Sequence, residues 1–254
     1  MYYVFDGSYA GFMSCVFESF ERKEPGAIPV TELDFQPGLF QEGRTVQTDL
    51  AKMERVLRGL RKQLGDQKVL DFFRAFLSED RKVWLSSFHI IHQIFQAGPA
   101  VLTNYGDADV LYFSQTLHKV SRERHRMKAF TRFQKSADGL FFAIIEPDFN
   151  VLPLVSGFFK NRYADQRWLI YDVKRRYGLL HEEGYVSEVQ LTAPEKDALT
   201  DKAATITLDE RDAQFELLWK QYFKSTNIES RRNMKLHLQH VPRRYWKYLP
   251  EKQG

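Results

Sequence analysis

The sequence predicts an α+β fold: an N-terminal helical cluster packed with an antiparallel or mixed β-sheet in the second half. Two observations carry this. Up to about residue 128 the apolar residues recur at threes and fours, as on one face of a helix. Beyond that point they come in short runs bounded by turn residues, as in strands. The chain of 254 residues, 43% hydrophobic and 15% aromatic, can bury a sizeable core, and a single domain over 1–254 is expected.

The elements follow in order. Tyr2 to Phe5 reads as a short strand, and Asp6-Gly7-Ser8 turns the chain so that Ser8 can cap a helix. Phe12, Val16 and Phe20 share one face of that helix, which Pro25 and Gly26 end. Ala27 to Gly43, with several Pro and Gly residues, reads as an irregular loop. Asp49 opens a strong helix carrying Leu50, Met53, Leu57, Leu60 and Leu64, and Gly65-Asp66 stops it and starts another with Leu70, Phe73 and Leu77. A helix from about Asp80 to Ala97 and one from about Asp107 to Lys128 complete a helical part over about 7–128.

A sheet-rich part follows over about 129–191. AFTRFQK and GLFFAIIE flank the turn-like SADG as a β-hairpin. VLPLVSGFFKNRY reads as a helix with Pro153 tolerated in its first turn. RWLIYDVK, YGLLHE and YVSEVQL read as three more strands. Thr192 to Thr205 reads as a linker. A C-terminal helical segment over about 207–250 opens on the capping box Thr207-Leu-Asp-Glu210, with Phe215, Leu218, Trp219 and Tyr222 on one face.

Composition excludes several chemistries. One cysteine, Cys15, permits no disulfide within the chain, no iron–sulfur cluster and no Cys-rich zinc site. Its setting in FMSCVFESF is that of a buried thiol. His89 and His92 are spaced at three on an apolar helix without an accompanying carboxylate, so core or interface histidines are expected and no metal. There is no Gly-rich phosphate loop, no HExxH and no G-x-S-x-G, and no cofactor is expected. No apolar run approaches the ~20 residues of a membrane span, and with no basic leader the expected location is the cytoplasm.

Net charge is +4 and the pI about 9.0, so the placement of charge matters more than its total. His118 to Lys135 (HKVSRERHRMKAFTRFQK) holds one carboxylate, Glu123, among its cations. Arg231 to Leu249 (RRNMKLHLQHVPRRYWKYL) holds none, and its bases alternate with aromatics. Lys and Arg neutralise phosphates while Tyr and Trp can stack on bases. The candidate nucleic-acid contacts are Arg122, His125, Arg126, Lys128 and Arg132, with Arg243, Arg244, Tyr245, Trp246 and Lys247. A charge run is also the ordinary dress of a solvated helix, and Tyr245 and Trp246 can equally pin the tail to the core. A third basic stretch runs from Lys160 to Trp168, with the tight turn Lys174 to Tyr177 after it; solubility alone is the leading reading and a binding role the other.

Glu146, Asp148 and Asp172 with Lys174 form a weaker pattern. Carboxylates and a lysine at strand ends can hold Mg²⁺ and orient a water, as metal-dependent nucleases require. A helix between the two halves counts against it, because that arrangement wants neighbouring strands.

YVFDGSYAGFMSCVFESFERKE, HRMKAFTRF, FFAIIEPDFNVLPLVSGFFKNRYADQRWLIYDVKRRYGL and HVPRRYWKYLPE, in that order, resemble an uncharacterised bacterial family described as "probable DNA metabolism protein". The resemblance covers nearly the whole chain. It implies a DNA-associated accessory protein in DNA metabolism or repair, working beside a radical-SAM protein, in a family whose domain is sometimes fused to a uracil-DNA-glycosylase-like domain. It carries over no catalytic residues. Two other readings stay open: a metal-dependent nuclease or other nucleic-acid enzyme, and a protein-interaction module without direct DNA contact.

Overall fold

The computed structural model describes residues 1–36, 42–136 and 139–190, together with Tyr245 and Tyr248. The fold is α+β, with helices gathered in the N-terminal half and a mixed sheet in the C-terminal half. The expected linker over Thr192 to Thr205 and the capping-box helix after Thr207 lie outside the described residues. The chain divides into two compact units, Met1–Glu123 and Arg124–Gly254.

The first unit is built around a buried strand. β1 (Tyr2–Phe5) is central in a parallel three-stranded sheet, flanked by β2 (Ile28–Thr31) and β3 (Gly43–Thr45). The loop expected over Ala27 to Gly43 therefore contains β2 and ends on the first residue of β3. Pro29 did not betray β2 because a proline is acceptable on a sheet edge. Ile28 donates to the Met1 carbonyl just before β1 and Glu32 to that of Phe5 at its end, so in this alternation the N–H that Pro29 lacks belongs to the outer edge.

The helices begin where capping residues stand. Ser8 caps α1 (Tyr9–Glu21) by accepting from the Gly11 N–H at 2.9 Å. Asp49 caps α2 (Leu50–Leu64) by accepting from Ala51 and Lys52. Gly65, at φ 75°, ends α2 and starts α3 (Asp66–Phe76). Asp80 caps α4 (Arg81–Ala97). A 3-10 turn over Pro99–Thr103 leads to α5 (Ala108–Phe130).

Aromatic packing joins sheet to helices in this unit. Phe5 of β1 meets Phe12 of α1 and Trp84 of α4, and Trp84 stacks on Phe76 at 5.0 Å while its indole N–H donates to the Phe76 carbonyl. Cys15 is fully buried in this core, and burial pushes its thiol pKa up, so it is a structural thiol as its setting predicts.

The second unit holds the end of α5, a five-stranded sheet and one crossover helix. Strand order is β4 (Gln134–Lys135), β5 (Phe141–Ile145), β6 (Trp168–Asp172), β7 (Tyr177–Glu182), β8 (Tyr185–Val189). β5 and β6 are parallel, and the other pairs are antiparallel. The parallel pair is joined by α6 (Leu152–Arg162), with Pro153 in its first turn. Gly178 is required on β7: a Cβ there would lie 2.8 Å from the Ile170 carbonyl oxygen of β6. No helix among the described residues is long and apolar enough to cross a membrane.

Of the two helix histidines only His92 belongs to the core; His89 is half-exposed, and its Nδ1 lies 2.9 Å from the Asp109 carboxylate, a partner that the local sequence does not show. The His92 Nε2 lies 2.8 Å from the Ser19 hydroxyl, and Phe20 stacks on the His92 ring at 4.0 Å. Ser19 spends its one proton on the Val16 carbonyl, so its oxygen accepts and His92 Nε2 carries the hydrogen. Burial lowers the pKa of His92 to about 4 from 6.5. The unfolded chain therefore takes up this proton first. The stabilisation is intact above pH ~6.5 and is lost as pH falls toward ~4, by up to about 3 kcal/mol. Urea unfolding of the wild type and of His92→Gln should show their stability difference shrinking by that amount between about pH 7 and pH 4.

Candidate nucleic-acid interface

The basic residues singled out from sequence begin on α5. Arg122 is exposed on this helix within the first unit; His125 is exposed within the second, and Arg126 and Lys128 are half-buried there. Arg132 follows the helix end, and its guanidinium donates to the Ala129 carbonyl at 2.6 Å. It thereby satisfies one of the terminal carbonyls that a helix leaves without an internal partner. Lys128 holds its ammonium 5.0 Å from the centre of the Phe158 ring of α6.

The closing motif reaches the same unit. Tyr245 is 2% exposed and its ring lies 6.0 Å from that of Phe130, the last residue of α5. Buried in this way, it presents no free face to a base, and the stacking role expected of it is not open. Its position nonetheless sets this residue of the closing motif at the C-terminal end of the α5 basic stretch. Arg243, Arg244, Trp246 and Lys247 lie outside the described residues.

Tyr248 makes the second attachment. Its hydroxyl donates to the Glu146 carboxylate just after β5, and burial followed by that carboxylate pushes its pKa well up. Two of the three carboxylates expected to gather at the strand ends are engaged by other side chains. Glu146 receives Tyr248. Asp172, fully buried, accepts the Lys174 and Arg175 backbone N–H groups at 3.0 and 3.3 Å and pairs with the Arg175 guanidinium at 2.8 Å. Asp148 is exposed, and its backbone carbonyl receives the Lys174 ammonium at 3.0 Å and Arg175 at 3.1 Å.

The helix between the two halves does not separate them, contrary to the expectation from sequence. α6 is the crossover that makes β5 and β6 neighbours, with Ile145 opposite Asp172. Proximity still assembles no metal site: among the described residues no group of three or more His, Cys, Asp or Glu side chains could hold a metal ion. The arrangement is a strand-end clamp. Arg175 also donates to the Pro147 carbonyl, and Tyr177, its pKa raised by burial, donates to Asn150 at 2.5 Å.

A family model described as a domain of unknown function, DUF4130, matches residues 81–251. The chain belongs to the DUF4130 family. The matched region opens on the first residue of α4 and closes on Glu251, so it takes in α5, the five-stranded sheet and the closing motif. No curated protein and no solved structure matches the chain.

The candidate contacts drawn from sequence left out α6, although its end lies in the basic stretch Lys160 to Trp168. Lys160 and Arg162 are exposed at the end of α6, and Phe158 and Tyr163 are half-exposed. The signal lay in KNRYADQRW, whose cations stand beside aromatics as they do in HVPRRYWKYLPE. The contact from Lys128 to Phe158 is between residues far apart in sequence, and no local pattern announces it.

The buried pair sets a stability expectation. Arg175→Ala strands the Asp172 charge and should cost about 3–5 kcal/mol in urea unfolding. Lys174→Ala, at an exposed turn, should cost less than about 1 kcal/mol.

Proposed function

We propose that this chain is a DNA-associated accessory protein of DNA metabolism or repair, and that its second unit supplies the DNA contact. The observation that carries the reading is the Phe130–Tyr245 contact. It sets Tyr245 against the end of the α5 basic stretch, and neither Arg124 to Lys135 nor Arg231 to Leu249 contains a carboxylate. Cations without interspersed acids are suited to a phosphate backbone.

The resemblance to the DNA-metabolism family supports the same reading and adds a radical-SAM protein as partner. The single buried Cys15 agrees with that division: an iron–sulfur cluster would be ligated by the partner's cysteines. A nuclease reading has less support, because Asp172 and Glu146 are engaged in the strand-end clamp.

Fluorescence anisotropy of labelled DNA across a salt series tests the proposal. Neutralising ~4 phosphates predicts that affinity falls by about a hundredfold between about 50 and 200 mM salt. Arg243→Ala/Arg244→Ala should weaken binding further and flatten the salt dependence. Absence of binding at low salt would place any DNA connection in the partner instead.

A further inference from the structure

Three half-exposed aromatic rings surround one buried ring in the second unit. Phe159 of α6 is 2% exposed. Phe158 meets it at 5.1 Å, Phe133 at 5.6 Å, and Tyr163 lies parallel to it at 6.3 Å, while Phe133 and Tyr163 meet each other at 5.2 Å. Phe133, Phe158 and Tyr163 each keep part of their surface open. Their edges and faces are fixed by packing, so little conformational entropy remains to be lost when something stacks on them.

Cations accompany two of these rings directly. The Lys128 ammonium lies 5.0 Å from the centre of Phe158, and the Arg162 guanidinium 5.8 Å from that of Tyr163. Arg132 precedes Phe133 in sequence and is exposed, as is Lys160. No carboxylate occurs from Arg124 to Lys135 or anywhere in α6. At Gly157, exposed on the same helix, a Cβ would meet nothing within 4 Å, so a ligand can approach the backbone there.

We infer that this aromatic and basic face of α6 and the α5–β4 connection binds single-stranded DNA, with unpaired bases stacking on Phe158, Tyr163 and Phe133 while Lys128, Arg132, Lys160 and Arg162 follow the phosphates. The inference rests on the proposed DNA role and narrows its substrate. Phosphate neutralisation alone serves duplex and single strand alike. An open ring adds affinity only where a base face is uncovered, and in a duplex those faces are buried in the stack. The rings, more than the charge, point to the single strand.

The test compares an oligonucleotide containing 2-aminopurine with its duplex, by anisotropy and by 2-aminopurine emission, using the full chain. The single strand should bind at least about tenfold more tightly than the duplex, and its 2-aminopurine emission should change on binding as the base stacks on a ring. Phe158→Leu/Tyr163→Leu should weaken single-strand binding by about fivefold or more, with the salt slope unchanged because no charge is removed. Lys128→Gln should lower that slope by about 0.7, the loss of one phosphate contact. Equal affinity for the two forms, or unchanged 2-aminopurine emission with the wild-type protein, overturns the single-strand assignment. In that case duplex binding lost in Arg243→Ala/Arg244→Ala leaves the broader DNA role standing, whereas no binding to either form at low salt sinks both.

Discussion

The buried ion pair between Asp172 and Arg175 is the constraint on which the second unit depends. A carboxylate without solvent needs a counter-charge and hydrogen-bond donors, and Asp172 obtains both from the turn that follows its own strand. Arg175, committed to that task, still has donors left, and it spends them on the Pro147 and Asp148 carbonyls. The turn after β6 and the segment after β5 are therefore fixed to each other at the ends of the two parallel strands. Tyr248 attaches to Glu146, the residue next to those carbonyls, so its hydroxyl is held at a part of the sheet that the clamp already fixes.

The same logic separates the charges that build the fold from those open to a partner. Asp172, Arg175 and Lys174 are occupied within the clamp, and Arg132 closes a helix end while remaining exposed. His125, Lys160 and Arg162 stand at the surface. Aromatic residues divide in the same manner. Phe159, Trp168 and Tyr245 are buried, and Phe133, Phe158 and Tyr163 sit at the boundary, where a ring can hold the core on one side and meet a planar ligand on the other.

Most helices were legible because their starts carry a chemical mark. Ser8, Asp49 and Asp80 each place an acceptor where a helix leaves N–H groups without partners, and each is followed by apolar residues at helical spacing. β2 and β3 were not legible. Each is four residues or fewer, and they become strands by pairing with β1, a long-range event that local pattern does not encode. The parallel pairing of β5 with β6 was hidden for a related reason: a helix between two strands looks like separation in a sequence and acts as a connector in space. At the candidate site, composition found the α5 and closing stretches. It could not decide that Tyr245 faces inward, because an aromatic among arginines suits an anchor and a stacking platform equally well.

Cys15 has a practical consequence. It is the chain's one sulfhydryl, it is sealed in the core of the first unit, and its raised pKa leaves almost no thiolate to react near neutral pH. Toward alkylating dyes the folded protein behaves as if it had no cysteine. A cysteine introduced at an exposed position such as Lys160 would be the single labelling handle, and a fluorophore or spin label could be attached there with the wild-type interior left untouched.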